Sequence, residues 1–227
     1  MKKGKFIVID GTDGSGKATQ TELLMKKLKK DGHQVKVFDF PQYGKKSAGL
    51  VEEYLNGKYG SAQEVGPYRA SIFYACDRYD ASFKIKKYLE EGKIVISNRY
   101  VTANMGHQGG KIKSSKERKN YFKWLYNLEY EIFGIPKPDL SIILHVDAEI
   151  AQKLVDNKEK RSYIKGSKKR DLHENDLKHL RDAEKIYLEM AKTFQNFSLI
   201  KCTENKNIMT RGEISELAWK EVKKVLK

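Results

Sequence analysis

Cysteine is scarce in this chain, proline is thinly spread, and long apolar runs are missing. The two cysteines, Cys76 and Cys202, lie far apart inside apolar segments, and neither has a partner at metal-ligand spacing. That excludes a disulfide-stapled scaffold and a zinc ribbon, and reads as two buried free thiols. No apolar stretch approaches the roughly 20 residues that span a bilayer. The basic start Met1-Lys2-Lys3-Gly4-Lys5 is followed only by the short run Phe6 to Ile9 before Asp10. A secretory signal needs a longer apolar stretch, so a cytoplasmic protein is expected. Acids are also in deficit, with 30 Asp and Glu against 45 Lys and Arg, a formal charge of +15. Such a balance suits an anionic partner, either phosphorylated small molecules or nucleic acid. The lysines are spread over helical and loop segments alike. A generally basic, solubilising surface accounts for them, and nucleic acid is not the expected partner.

What is present is a globular composition, 39% hydrophobic and 33% charged, in a length suited to one domain over 1–227. Apolar runs alternate with amphipathic stretches. Strands are predicted at Phe6 to Asp10, Gln34 to Phe40, Ile94 to Ser97, Leu140 to Val146 and Ser198 to Cys202. Helices are predicted at Lys17 to Lys30, Pro67 to Glu91, Lys116 to Phe133, Glu149 to Asn157, Asn175 to Phe194 and Glu213 to Leu226. Pro67 suits a first helical turn and Gly92 a helix end. Strands separated by helices imply an α/β fold: a five-stranded parallel sheet flanked by helices. One segment stands apart. Residues Lys158 to Arg170 hold seven basic side chains and one acid, Glu159, with no apolar period, and read as an exposed loop.

Gly11-Thr12-Asp13-Gly14-Ser15-Gly16-Lys17 follows the first strand and opens the first helix, matching G-x-x-x-x-G-K. Glycines let the backbone curl so that successive N–H groups face phosphate oxygens, and the helix N-terminus adds partial positive charge. Lys17 can then reach the β- and γ-phosphates of ATP. The pattern wants Ser or Thr next, to bind Mg²⁺, and here it is Ala18. Thr19, one position later, would meet the α-phosphate instead.

Three further stretches lie at strand ends or on the long helix. Asn98-Arg99-Tyr100 follows the third strand, where an open α/β sheet borders its ligand crevice. An arginine there suits a bidentate phosphate contact. Phe40-Pro41-Gln42-Tyr43-Gly44 ends the second strand on the same edge, with Tyr43 readable as ligand or as packing residue. Asp77-Arg78 lies within the long helix, where such a pair is ordinarily a solvated face.

Taken jointly, these elements resemble the thymidylate kinases, from about residue 5 to 195. The matching pieces are the Gly11 to Lys17 loop with Thr19-Gln20, Phe40 to Gly44, Tyr74-Ala75-Cys76-Asp77-Arg78, Asn98-Arg99-Tyr100, Asn104, Gln108, and the basic loop leading to Asp171 and Glu174. The resemblance implies phosphoryl transfer from ATP to thymidine monophosphate within the P-loop nucleoside monophosphate kinase architecture. It implies an ATP site at Asp13, Gly14, Ser15, Gly16, Lys17, Ala18 and Thr19. Tyr74 would stack on thymine, Arg78 donate to its O4, and Asn104 meet its N3–H. Cytosine reverses both base groups and would leave buried polar atoms unpaired. Asp13 would lie near the acceptor 3′-hydroxyl, with Arg99 and Tyr43 at its phosphate. Phe40, Pro41, Leu55 and Gln108 would complete the acceptor pocket. Residues 158–173 would form a lid inserted in the domain. With no basic residue from Thr12 to Ser15, the lid would supply the catalytic arginine, Arg161 or Arg170, beside Lys17 and Arg99. Asp13 and Glu174 would approach Mg²⁺, in part through water, and a homodimer is implied. The departures are Ala18, Asn98 where Asp is usual, and Gln42 where Arg is frequent.

Two rival readings remain at the level of sequence. The acceptor could be another monophosphate such as deoxyuridylate, or a deoxynucleoside whose 5′-hydroxyl Asp39 would deprotonate as base. Alternatively, Ala18 and Asn98 could mark a nucleotide-binding protein without turnover.

Overall fold

The structure, a computed structural model, describes residues 3–156, 177–205 and 207–226. Five parallel strands form its centre: β1 (Phe6–Gly11), β2 (Val35–Asp39), β3 (Ile94–Asn98), β4 (Leu140–His145) and β5 (Phe197–Lys201), in spatial order β2-β3-β1-β4-β5. β1 is central, pairing Ile7 with Ile96 on one side and with Leu140 on the other. Its continuous apolar run follows from burial on both faces. Ile7 and Ile9 point to one face, with Leu24 and Leu28 of α1 (Lys17–Lys30) and Trp219 and Val222 of α8 (Arg211–Leu226). Phe6 and Val8 point to the other, with Ala81, Ile85 and Leu89 of α3 (Ala62–Glu90). The two-residue side-chain period of a strand makes this division.

The remaining elements are α2 (Gly49–Leu55), α4 (Val101–Gly109), α5 (Ser115–Tyr126), α6 (Ala148–Asp156), α7 (Leu177–Thr193) and the short hairpin β6 (Thr203–Glu204) and β7 (Asn207–Ile208). The five sheet strands and α1 lie where the sequence predicts them. Several features differ, the short β6–β7 hairpin among them. The expected helix from Pro67 is preceded by one turn, capped by Ser61 and Glu64 reciprocally, and the two are joined at Gly66, whose φ is 73°. The helix expected to reach Phe133 is α-helical only to Tyr126 and continues as a π-helical turn over Asn127–Ile132. α2 and α4 were not expected. α4 contains Gly106 and Gly109 and starts with Val101-Thr102, all poor helix formers; its contacts with α3, α5 and α7 hold it instead. The proposed lid, residues 158–173, with Arg161 and Arg170, and the nearby Asp171 and Glu174, lies outside the described residues.

The core between α1 and the sheet is tightly filled, with Leu28 fully buried. Leu28→Ala is expected to lower unfolding free energy by roughly 2–5 kcal/mol, as large-to-small core changes do. Urea unfolding checks this, and a loss below about 1 kcal/mol would contradict the packing described.

Candidate active site

The C-terminal ends of β1, β2 and β3 open into one cleft. Asp13, from the glycine-rich loop after β1, lines its near wall. Gly11, Gly14 and Gly16 have φ of 142°, 85° and 84°, a region that side chains resist. At Gly14 a Cβ would also lie 2.2 Å from the carbonyl oxygen of Ala151, so α6 and the loop touch backbone to backbone. Gly16 caps α1, and the Lys17 ammonium folds over the loop, donating to the carbonyls of Gly11 (3.1 Å) and Thr12 (2.8 Å). The buried hydroxyls of Thr12 and Ser15 have no hydrogen-bond partner among the described residues. Ala18 is exposed and Thr19 half-buried, both in the first turn of α1.

Arg99 closes the cleft opposite. Its φ is 66°, left-handed and strained for a side chain that is not glycine. The surroundings hold it there: its N–H donates to Ile9 O (2.9 Å), and Ser97 Oγ donates to its carbonyl (2.6 Å). One guanidinium nitrogen, Nη2, bonds Asp13 Oδ1 at 2.5 Å; Nη1 lies 3.0 Å from His107 Nε2 and 3.8 Å from Asp10 Oδ1. Burial opposes the charge on Arg99, but Asp13 and Asp10 outweigh it and hold the pKa well above its ordinary value. Asp10 is itself fixed by Tyr187 Oη (2.9 Å), Thr102 Oγ1 (2.5 Å) and the Gly11 amide (2.9 Å).

The far end of the cleft is built on α3 and α4. Arg78 is 1% exposed and forms a two-point pair with the fully buried Glu129, Nε to Oε2 at 2.8 Å and Nη2 to Oε1 at 2.5 Å. Glu129 reaches it from the π-helical turn. Burial alone disfavours the Arg78 charge; Glu129 more than offsets that and raises its pKa. Arg78 Nη1 also donates to Tyr100 O (3.3 Å). Asn104, 2% exposed, donates from Nδ2 to Ser71 O (3.2 Å). Since that carbonyl only accepts, the amide is oriented with its oxygen turned from α3.

All ten residues expected at the acceptor line this one cleft: Asp13, Phe40, Pro41, Tyr43, Leu55, Tyr74, Arg78, Arg99, Asn104 and Gln108. Ala103, Asp77 and His107 line it as well. His107 was missed because α4 was unseen; its spacing from Ala103 and Asn104, four and three residues, would have placed it on the same face. Asp77 does not face solvent. It accepts from Gln42 N (2.8 Å), Gln42 Nε2 (3.1 Å) and Ser47 Oγ (2.6 Å), and so ties the chain after β2 to α3. Gln42 is thereby a bracket for the Pro41–Tyr43 turn. Asp39 is exposed and lines a separate groove with Lys36 and Lys45, apart from Arg99. The Asn98 amide oxygen, at the end of β3, has no partner among the described residues. Elsewhere, His145, Asp147 and Glu184 lie within 4.8 Å of one another; Glu184 there bonds His145 Nε2 (2.7 Å) and caps Ala148 N (3.2 Å).

Glu129→Gln strands a buried guanidinium and is expected to cost roughly 3–5 kcal/mol of stability. The double replacement Arg78→Met, Glu129→Leu should recover most of it. Denaturant titration checks both, and an unchanged midpoint for Glu129→Gln would contradict the pairing.

Comparison with known proteins identifies the family. A family profile described as thymidylate kinase matches residues 9–211. A thymidylate kinase of Mycobacterium tuberculosis is 29% identical over 187 residues, covering 82% of this chain and 85% of that protein. A probable thymidylate kinase of Pyrobaculum aerophilum is 35% identical over 148 residues, covering 65% of this chain and 67% of that one. The solved structure of thymidylate kinase from Candida albicans, 21% identical, aligns with a TM-score of 0.74 over 98% of this chain and 92% of that chain, which shows the shared fold. The profile spans most of the chain, and the chain belongs to the thymidylate kinase family.

Proposed function

We propose that this chain transfers the γ-phosphoryl group of ATP to thymidine monophosphate. The observation that carries the reading is the 2.5 Å contact between Asp13 of the phosphate loop and Arg99. In this reading it sets a donor-phosphate cradle beside an anion-binding guanidinium, the adjacency that direct transfer between two phosphates calls for. The base end supports the pyrimidine assignment. Arg78 retains N–H groups beyond those given to Glu129 and Tyr100, and Asn104 presents an acceptor oxygen. Thymine offers O4 and N3–H to such a pair.

In this reading Gly14, Ser15, Gly16, Lys17, Ala18 and Thr19 hold the ATP phosphates, Arg99 and Tyr43 grip the acceptor phosphate, and Tyr74 stacks on the base. The partnerless hydroxyls of Thr12 and Ser15 fit a ligand rich in oxygen. Mg²⁺, when bound, neutralises the charge between the phosphates. Its residues would be Asn98, a hard oxygen donor, with Asp13 and Glu174. No side-chain base is required, since the attacking phosphate oxygen is already anionic. From sequence alone we assign residues 158–173 as the lid within a single domain, and Arg161 or Arg170 as the guanidinium at the equatorial oxygens.

Two further readings attach to this one. Ile72, Cys76, Tyr79 and Phe83 recur at i, i+4, i+7 and i+11 on α3; Ile72, Tyr79 and Phe83 are 40%, 41% and 59% exposed. We assign that stripe as a homodimer face. Among the described residues no helix is long and apolar enough to cross a membrane. The two free thiols suit a reducing compartment, and we place the enzyme in the cytoplasm.

ADP release with a panel of acceptors tests the reaction. Thymidine monophosphate should be used at least about 10³-fold better than deoxycytidine monophosphate, while the deoxyuridine analogue, lacking one methyl, should lose roughly 10–200-fold. Lys17→Ala should cut turnover at least about 100-fold without a change in thermal midpoint. Equal use of the cytosine nucleotide, or turnover with none of the monophosphates, would contradict the assignment. For the dimer, Phe83→Glu should convert a sedimenting dimer to monomer; a wild-type chain already monomeric at micromolar concentration would overturn it.

A further inference from the structure

Arg99 is held from behind as well as by Asp13. Its Nη1 meets His107 Nε2 at 3.0 Å, and His107 Nδ1 in turn meets His179 Nε2 at 3.2 Å. Both histidines are 8% exposed. A guanidinium has no lone pair to offer, so His107 Nε2 must be the acceptor. A neutral imidazole that accepts at Nε2 carries its proton on Nδ1. That proton points at His179 Nε2, which must accept in its turn. The directions of both hydrogen bonds therefore follow from the one group in the chain that can only donate.

We propose that His107 is a positioning residue for Arg99, locked by His179 as the neutral Nδ1–H tautomer, and that this lock sets affinity for the acceptor phosphate. The proposal rests on the reading that Arg99 binds that phosphate. His107 fixes the guanidinium on the side away from Asp13, so that both nitrogens of the fork are anchored and the edge between them keeps one direction. The groups around His107 agree. Arg99, His179 and Lys17 each disfavour a second proton, Asp13 alone favours it, and the Tyr187 ring stands edge-on at 5.9 Å. Burial, the largest influence, pushes the His107 pKa well below its ordinary value, and Arg99 adds to it. A doubly protonated ring would aim an N–H at a guanidinium N–H.

The relay also joins two parts of the chain distant in sequence. His107 is on α4 and follows Asn104 by three residues; His179 is in the first turn of α7. Anything that shifts the start of α7 thus acts on the arginine through one ring.

Three variants and one spectrum test the proposal at pH 7.5. His107→Leu removes the acceptor and should raise KM for thymidine monophosphate roughly tenfold, the worth of one hydrogen bond to a charged group. KM for ATP, and the thermal midpoint, should stay near wild type. His107→Gln, which can present an amide oxygen where Nε2 lies, should recover most of that loss. Equal KM values for the Leu and Gln variants would overturn the proposal. Should His107→Leu fail to fold, ¹⁵N spectra of the wild-type imidazoles decide: an Nδ1–H tautomer is expected for His107, and an Nε2–H or doubly protonated ring would refute it. Arg99→Lys separates the two levels. If it leaves acceptor KM unchanged, the phosphate-binding role of Arg99 fails. If it raises KM while His107→Leu does not, only the positioning role fails.

Discussion

The contact between Asp13 and Arg99 is the constraint on which the site depends. It joins the loop after β1 to the turn after β3, two strands that are neighbours in the sheet. A guanidinium in this position is electrostatically demanding: burial penalises it, and chiefly the carboxylates of Asp13 and Asp10 make its charge favourable. The backbone shares the strain, since Arg99 adopts a left-handed φ of 66°. Asp10 then needs its own anchors, and Tyr187 and Thr102 supply them from α7 and α4. Much of the surrounding polar network thus serves to keep one cation aimed at one place.

A second buried ion pair plays the corresponding part at the other end of the cleft. Arg78 and Glu129 are both withdrawn from water, which costs several kcal/mol per ion before their attraction is counted. An apolar pair of similar volume would stabilise the fold as well or better. What the ion pair provides is direction: the guanidinium plane is fixed by two parallel bonds, leaving its outer edge for a carbonyl group. The π-helical turn makes this possible. Widening one turn of the helix after Tyr126 carries Glu129 inward, where a regular helix would place another side chain. The two anchored arginines stand at opposite ends of one cleft.

Much of the fold was legible in the sequence, because local and global signals agree. Phe6 to Ile9 is apolar on consecutive residues, which only a strand buried on both faces explains, and Gly11 to Lys17 announces the turn that follows. Of the ten residues expected at the acceptor, Arg99 and Tyr43 follow from their strand-end positions and the rest from family resemblance, and all ten line one cleft. What stayed hidden has physical reasons. α4 carries Gly106 and Gly109, so its helical state comes from packing against α3 and α7, and His107 could not be seen to share a face with Asn104. Glu129 sits among charged and aromatic residues in a stretch that reads as a solvated helix face. Nothing local signals the π turn that buries it. Asp77-Arg78, a pair that local sequence alone would put on a solvated face, is buried because the turn after β2 and the π turn each place a partner above α3.

The account as a whole requires that two nucleotide sites meet at Asp13 and Arg99. The most direct test is calorimetric titration with a single molecule carrying adenosine and thymidine joined through five phosphates. If the sites adjoin, both ends engage at once, and the conjugate should bind at least about 100-fold more tightly than either ATP or thymidine monophosphate alone. An affinity no better than that of the tighter single nucleotide would mean that the two sites do not meet.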